Sequence, residues 1–201
     1  MITSHVFDMN VVRSVASMSE SRICGFILYK STDASIVKVM RDPDYLRAID
    51  EISGERWPVF AVKPLDPSRF EIKSSCMPGY IGMMITEEVD PKANLPIINF
   101  FGLDNTSDTP CFVLFCWDDN DELLVTHYKL TNRSIEDAYN SIIEVIEEIS
   151  KSEAMILPEY RKQMGVYRQA RESVEALKFK KRFQKNFSSA NDFMGFISSF
   201  F

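Results

Sequence analysis

The run of residues that is most informative about the fold is Thr109-Pro110-Cys111-Phe112-Val113-Leu114-Phe115-Cys116-Trp117. Proline has no backbone N–H to donate, so it is confined to the start, the edge or a bulge of a strand. The apolar run after Pro110 has the length and composition of a buried strand. An acidic segment (residues 118–122) and a second strand pattern (residues 123–130) follow it. The sequence therefore predicts a hairpin whose first strand begins at Pro110.

Two further apolar runs of strand length lie upstream of this hairpin, over residues 23–29 and 57–62. Continuous apolar runs are typical of strands that are covered on both faces. Between them, apolar residues at helical spacings predict a helix over residues 36–52, which Pro43 breaks or restarts. Residues 7–18 predict a short amphipathic helix before the first run. A strand, a helix and a strand of this size suggest a βαβ unit.

Downstream of the βαβ unit, prolines punctuate residues 65–94, which read as an insertion or a long loop. Another apolar run covers residues 95–103 and is followed by a polar loop, residues 104–108. After the hairpin, Ser134 and Asp137 approximate a capping box before a clear helix face over residues 135–149.

Charge divides the chain unequally. Residues 151–201 contain 10 Lys/Arg and 5 Asp/Glu (net +5), which leaves 13 and 24 (net −11) for residues 1–150. We therefore predict a domain over residues 1–150 and a basic, Phe-rich helical extension over residues 151–201. No apolar run approaches the roughly 20 residues that a membrane-spanning helix needs. The four cysteines lack CxxC spacing and are expected to be reduced thiols in a cytoplasmic protein.

The order β-α-β, then a hairpin opened by Thr109-Pro110, then a helix, resembles the thioredoxin fold. The resemblance covers about residues 23–150, with an enlarged centre at residues 65–94. It implies the α/β fold class, with a three-layer core in which helices flank a central mixed sheet. It also implies a cis peptide bond at Pro110, beside the position of the family's active site.

Where this family carries CxxC, the chain has Thr32-Asp33-Ala34-Ser35. Hydroxyl groups cannot carry out thiol–disulfide exchange, which requires a thiolate. The resemblance therefore implies a retained scaffold with a groove for an extended peptide or thiol ligand, without the family's redox chemistry. The candidate groove residues are Thr32, Ser35, Thr109, Pro110 and Cys111.

Other chemistry has weaker support in the sequence. Alternation along a strand puts Cys111 and Cys116 on opposite faces, and buried cysteine commonly acts as a small apolar residue. Cys76 lies in a turn pattern and is the best remaining candidate for a reactive thiol. His127 has no cysteine or carboxylate at a metal-ligand spacing, so we expect a structural role. We expect neither a metal nor a cofactor.

The C-terminal region predicts a helix that starts near Pro158. Its basic, aromatic part contains the candidate partner-binding residues Phe179, Lys180, Arg182, Phe183 and Phe187. Three interpretations are open. The helix docks its aromatic face on its own domain or on a sister subunit, or it binds a groove on another protein. The third is contact with a membrane surface or nucleic acid, which the overall charge of −6 disfavours.

These observations favour a non-catalytic interaction or adaptor protein. We expect it to bind a protein partner, or to self-associate, through the groove near Pro110, the C-terminal helix or both. The alternative is a single-cysteine thiol enzyme, of reductase or transferase type, that uses Cys111 or Cys76.

Overall fold

The computed structural model describes residues 1–4, 8–53, 56–62 and 94–186 of the 201-residue chain. The insertion predicted over residues 65–94 lies outside these ranges except for Asn94. Within them the chain forms five strands and six α-helices. In chain order the elements are β1 (Ile2–Ser4), α1 (Met9–Met18), β2 (Cys24–Leu28), α2 (Ala34–Arg41), α3 (Pro43–Ser53), β3 (Val59–Val62), α4 (Leu95–Phe100), β4 (Cys111–Trp117), β5 (Leu123–Lys129), α5 (Ile135–Ala154), a 3₁₀ helix (Pro158–Tyr160) and α6 (Met164–Asn186).

Local sequence explains several of these boundaries. Pro43 occupies the first position of α3, where its missing N–H costs no helical hydrogen bond, so it separates α2 from α3 as predicted. The Asp8 carboxylate caps α1 by accepting from Asn10 N at 2.8 Å. Ser134 Oγ caps α5 by accepting from Asp137 N at 3.0 Å, as the capping pattern predicted.

The strands form one mixed sheet in the order β1-β3-β2-β4-β5. β1 and β2 each pair in parallel with β3, whereas β4 pairs antiparallel with both β2 and β5. The predicted βαβ unit and the predicted hairpin are thereby confirmed. β2 is the middle strand and is buried at every position, which explains its continuous apolar sequence.

A close aromatic contact at the middle of the sheet requires Gly25. A Cβ added at this position would collide with the ring of Phe112 and would lie 2.9 Å from the indole of Trp57. The Trp57 and Phe112 rings meet edge to face, with 6.2 Å between their centroids. Trp57 Nε1 also donates to Ser150 Oγ at 3.2 Å, which ties the start of β3 to α5.

Helices cover both faces of the sheet, so the fold has three layers. One face carries Ile23, Ile27, Phe112, Leu114 and Cys116 and packs against α2, α3, α5 and α6. The other face carries Cys24, Phe26, Cys111, Val113 and Phe115 and packs against α1 and α4. The apolar run at residues 95–103 forms α4 and the turn after it, and Phe101 packs on Phe115 with 4.9 Å between ring centroids.

The change of charge near Ser150 falls inside a helix. α5 continues through this residue to Ala154, and α6 contributes Val166, Tyr167, Ala170, Val174 and Leu177 to the same core as the sheet. The apolar stripes that determine packing continue across residue 150, so the change of charge does not mark a boundary of the core. Residues 151–186 are therefore packed on the sheet and share its core.

A buried ion network holds the connection between α5 and α6. The carboxylate of Glu153 is almost fully buried and accepts from Arg56 Nη1 at 3.0 Å, while Arg161 Nε lies 3.0 Å from its other oxygen. Arg22 N donates to the Arg161 carbonyl at 3.1 Å. A buried carboxylate needs such partners, because a lone charge there costs several kcal/mol. The network thereby fixes where α6 begins.

Candidate functional site

The predicted groove lies at the end of the sheet where β2 ends and β4 begins. Cys111 pairs with Leu28, so the turn before β4 lies beside the segment that leads from β2 into α2. The Thr109–Pro110 peptide bond is cis, as predicted. Leu130 N donates to the Pro110 carbonyl at 2.9 Å. Lys129 Nζ donates to the carbonyls of Thr109 and Ser107.

Four of the five predicted groove residues have limited access to solvent. Thr109, Pro110 and Cys111 are buried, Ser35 is half-buried, and Thr32 is exposed. The structure therefore brings the predicted residues to one end of the sheet without giving them a common open surface. The sequence could not predict this, because strand alternation says which face a residue occupies but not what covers it.

The first turn of α2 is closed by a residue that sequence reasoning missed. Asn132, in the loop between β5 and α5, accepts hydrogen bonds through Oδ1 from Ser35 N at 3.0 Å and Ile36 N at 3.4 Å. Its Nδ2 lies 3.3 Å from the Asp33 carboxylate, which also accepts from Lys30 N at 2.7 Å. Free amides at a helix N-terminus favour anions. Here a neutral amide oxygen occupies two of them.

The described cysteines are buried, free thiols. Cys24, Cys111 and Cys116 lie in the core, and Cys111 and Cys116 face opposite sides of the sheet, as predicted. Burial is the main cause that raises the pKa of Cys111 to about 12 and that of Cys116 to about 12. Such thiols stay protonated at neutral pH, and only the thiolate is a nucleophile. The burial of Cys111 and its raised pKa therefore argue against a thiol enzyme that uses this residue. Cys76 lies outside the described residues.

His127 contacts acidic and basic neighbours without forming a metal site. Its Nε2 lies 3.9 Å from Asp108 Oδ1, and burial, followed by the nearby Lys178, lowers its pKa. Over the ranges that the structure describes, no three His, Cys, Asp or Glu side chains are grouped so as to hold a metal ion. In the acidic hairpin turn, Asp118 Oδ1 accepts from Asn120 N and Glu122 N, each at 2.8 Å, which is ordinary turn chemistry.

The basic end of α6 presents aromatic rings to solvent. Phe179 is 70% exposed and Phe183 is 38% exposed, and the two rings stack with 6.3 Å between their centroids. Lys180 and Arg182 are also exposed. The helix docks on its own domain through Val174 and Leu177, whereas Phe179 and Phe183 are not part of that core; docking of the aromatic residues on a sister subunit stays a prediction. Phe187 lies outside the described residues.

Part of the basic cluster contacts the body of the protein. Lys181 Nζ lies 4.3 Å from the centre of the Tyr128 ring, and Lys180 Nζ lies 3.5 Å from Glu144 Oε1. Tyr128 Oη in turn donates to Glu144 at 3.0 Å. These contacts place the end of α6 beside the end of β5. We call Phe179, Lys180, Arg182 and Phe183 the α6 patch.

No helix in the described part of the chain is both long and apolar enough to cross a membrane. Comparison with known proteins gives no match to a family model, a curated protein or a solved structure.

Proposed function

We propose that this chain is a non-catalytic binding module on a thioredoxin-like scaffold, and that it binds a protein partner through the α6 patch. The element order β2-α2-α3-β3, then the hairpin β4-β5 and α5, supports the thioredoxin-like assignment, because the resemblance rests on that order. The observation that carries the binding role is the 70% exposure of Phe179 beside two exposed cations.

The chemistry at the α2 end of the scaffold supports the non-catalytic part of the proposal. Thr32 and Ser35 stand where a redox pair would stand, and hydroxyls do not exchange with disulfides. The Asn132 side chain bonds the amides of Ser35 and Ile36, and Cys111 is a buried, protonated thiol. The unpaired, buried cysteines suit a reducing compartment such as the cytoplasm.

An exposed phenylalanine on a docked helix is well suited to binding. Burying one large apolar side chain contributes about 1.5–3 kcal/mol. Val174 and Leu177 hold this part of α6 on the core, so little ordering entropy is lost when Phe179 is covered. Lys180 and Arg182 add positive charge beside the rings. We therefore infer that the partner presents an apolar groove with an acidic rim.

A photo-crosslinking amino acid in place of Phe179 tests this proposal, with the same group in place of the exposed Glu172 on α6 as the matched control. We expect position 179 to crosslink to an apolar segment flanked by Asp or Glu, identified by mass spectrometry of the joined peptides. The double change Lys180→Glu and Arg182→Glu should reduce that crosslink at least about tenfold.

Two outcomes would contradict the proposal. One is equal crosslinking from positions 179 and 172, because the ring would then have no particular partner. The other is a crosslink to segments of no consistent chemistry that survives both charge reversals, because the capture would then be adventitious.

A further inference from the structure

A second surface of the molecule has the chemistry that the α6 patch requires. A cleft of about 630 Å³ lies between α1, α3 and the β1 edge of the sheet. Its apolar lining includes Ile2, Val15, Met18 and Trp57, and its rim carries Asp50 and Glu51. Its volume falls within the range of about 300–1,000 Å³ that is usual for binding clefts. We call it the α1–α3 cleft.

Two of the apolar side chains that line this cleft are unusually accessible. Met18 is 82% exposed and Ile2 is 38% exposed, whereas Trp57 below them is buried. Glu51 is exposed at the rim, and Asp50 forms an ion pair with the Met1 amino group. Methionine is unbranched and polarisable, and it makes favourable contacts with aromatic rings. The cleft therefore suits an aromatic side chain that is accompanied by positive charge.

We propose that the α6 patch binds the α1–α3 cleft of a second copy of this chain. The inference rests on the proposed function and names the partner of the same patch. Phe179 would contact Met18 and Ile2, and Lys180 would face Glu51 at the rim. The charge difference between the two regions provides the complementarity, since residues 1–150 carry a net −11 and residues 151–201 a net +5.

The fold excludes contact between the patch and the cleft of the same molecule. Val166 to Leu177 fix α6 on the core, and Lys181 holds its end over Tyr128 near the β5 edge of the sheet. The cleft lies at the β1 edge, and β1 and β5 are the two edge strands. Four strand spacings of about 4.8 Å separate these edges. A helix that is docked along its length cannot cross that distance.

The contact joins two different surfaces, so its geometry decides the size of the assembly. Two copies related by a twofold axis can make the contact twice and leave neither surface open. A contact that does not close in this way would form larger rings or open chains. We expect the closed pair, with twice the 23.1 kDa mass of one chain.

Sedimentation velocity over a concentration series, up to about 200 μM, tests the inference with the purified full chain. We expect reversible dimer formation that weakens as the salt concentration rises. Phe179→Ser in the patch and Met18→Ser in the cleft should each raise the dimer dissociation constant at least about tenfold. Both side chains are exposed, so neither change should unfold the protein. The matched control is Val11→Ser, because Val11 is an exposed residue of α1 that does not line the cleft.

Charge reversal gives the sharper version of this experiment. Lys180→Glu and Glu51→Lys should each raise the dissociation constant about tenfold when studied alone. An equimolar mixture of the two variants should associate more tightly than either one, because both contacts of the heterodimer then join opposite charges. In one contact the two introduced side chains face each other, and in the other the native Lys180 faces the native Glu51. Two surfaces that do not meet cannot produce this rescue.

Several outcomes would overturn the inference. A chain that stays monomeric to about 200 μM excludes the pair. A dimer that is insensitive to Met18→Ser uses another surface. A crosslink from a photo-crosslinking amino acid at position 18 to a different protein gives the cleft another partner.

The two proposals fail in different ways. If position 179 crosslinks to an acidic groove on another protein while the chain stays monomeric, the proposed function stands and the self-association fails. If Phe179→Ser leaves self-association unchanged and positions 179 and 172 crosslink equally, both proposals fail.

Discussion

The Pro110 end of the sheet and the α6 patch differ in how completely their chemical groups are satisfied within the fold. At the Pro110 end, Cys111 is buried, Asn132 bonds the first-turn amides of α2, and Lys129 bonds the Thr109 carbonyl. At the α6 patch, Phe179 is exposed beside the exposed side chains of Lys180 and Arg182. The first region has little left to offer a ligand, whereas the second exposes apolar area that a partner could cover.

This difference shows that the end of the sheet where the resemblance predicts a groove need not be the surface that is open to a ligand. One asparagine from a neighbouring loop is enough to occupy two helix amides, and packing of the sheet against α1 and α4 is enough to bury a thiol. Function follows the groups that stay accessible after the fold has formed. Each of the following predictions tests one side of this comparison.

The largest expected effect concerns thiol reactivity at the Pro110 end. Burial raises the pKa of Cys111 to about 12, so its thiolate fraction at pH 7 should be about a thousandfold below that of an ordinary thiol. We expect Cys24, Cys111 and Cys116 to resist iodoacetamide in the folded Cys76→Ser variant, as measured by peptide mass spectrometry. Labelling in urea is the control. Modification of Cys111 within minutes in the folded protein would reopen the thiol-enzyme alternative.

The next effect separates the two sides of α6. Leu177 is buried against the core, so Leu177→Ala should lower the free energy of unfolding by about 2–3 kcal/mol. Phe179 lies two residues further along the helix and is mostly exposed. Phe179→Ala should therefore change the free energy of unfolding by no more than about 0.5 kcal/mol. Urea titration at a concentration where the chain is monomeric measures both. Equal losses for the two variants would mean that Phe179 belongs to the core and that the α6 patch does not exist.

The sequence predicted the parts of the fold that depend on local chemistry. The hairpin at Pro110, the break at Pro43 and the Ser134 cap follow from backbone constraints that a few neighbouring residues determine. In α6, helical spacing places Val174 and Phe179 on different sides of the helix, but it does not say which of these sides the core covers. Asn132 read as an ordinary loop residue, since its partners Ser35 and Ile36 lie about a hundred residues away. The α1–α3 cleft joins residues from β1, α1, α3 and the segment before β3, which are distant in sequence, so it left no local signal.

A smaller effect tests the closure of the α2 end. Asn132→Ala should lower the free energy of unfolding by about 1 kcal/mol, because two helix amides lose their acceptor. Hydrogen exchange should quicken at the amides of Ser35 and Ile36 more than elsewhere in α2. Arg133→Ala, at the exposed neighbouring position, is the control. Unchanged exchange at both amides would show that Asn132 does not close this site.

The smallest effect concerns His127, which lies between the two regions. Burial and Lys178 on α6 lower its pKa, and Asp108 near Pro110 partly opposes them. The unfolded chain therefore takes up a proton more readily, so this residue stabilises the fold above its ordinary pKa of about 6.5 and loses that contribution as the pH falls. His127→Gln should make the decline in stability between about pH 7.5 and about pH 5.5 shallower. Lys178→Met should act in the same direction, whereas Asp108→Asn should steepen the decline. NMR titration of the His127 ring measures the shift directly, and a pKa above the ordinary value would reverse the sign and show that the carboxylates of Asp108 and Glu175 together outweigh burial and the nearby lysines.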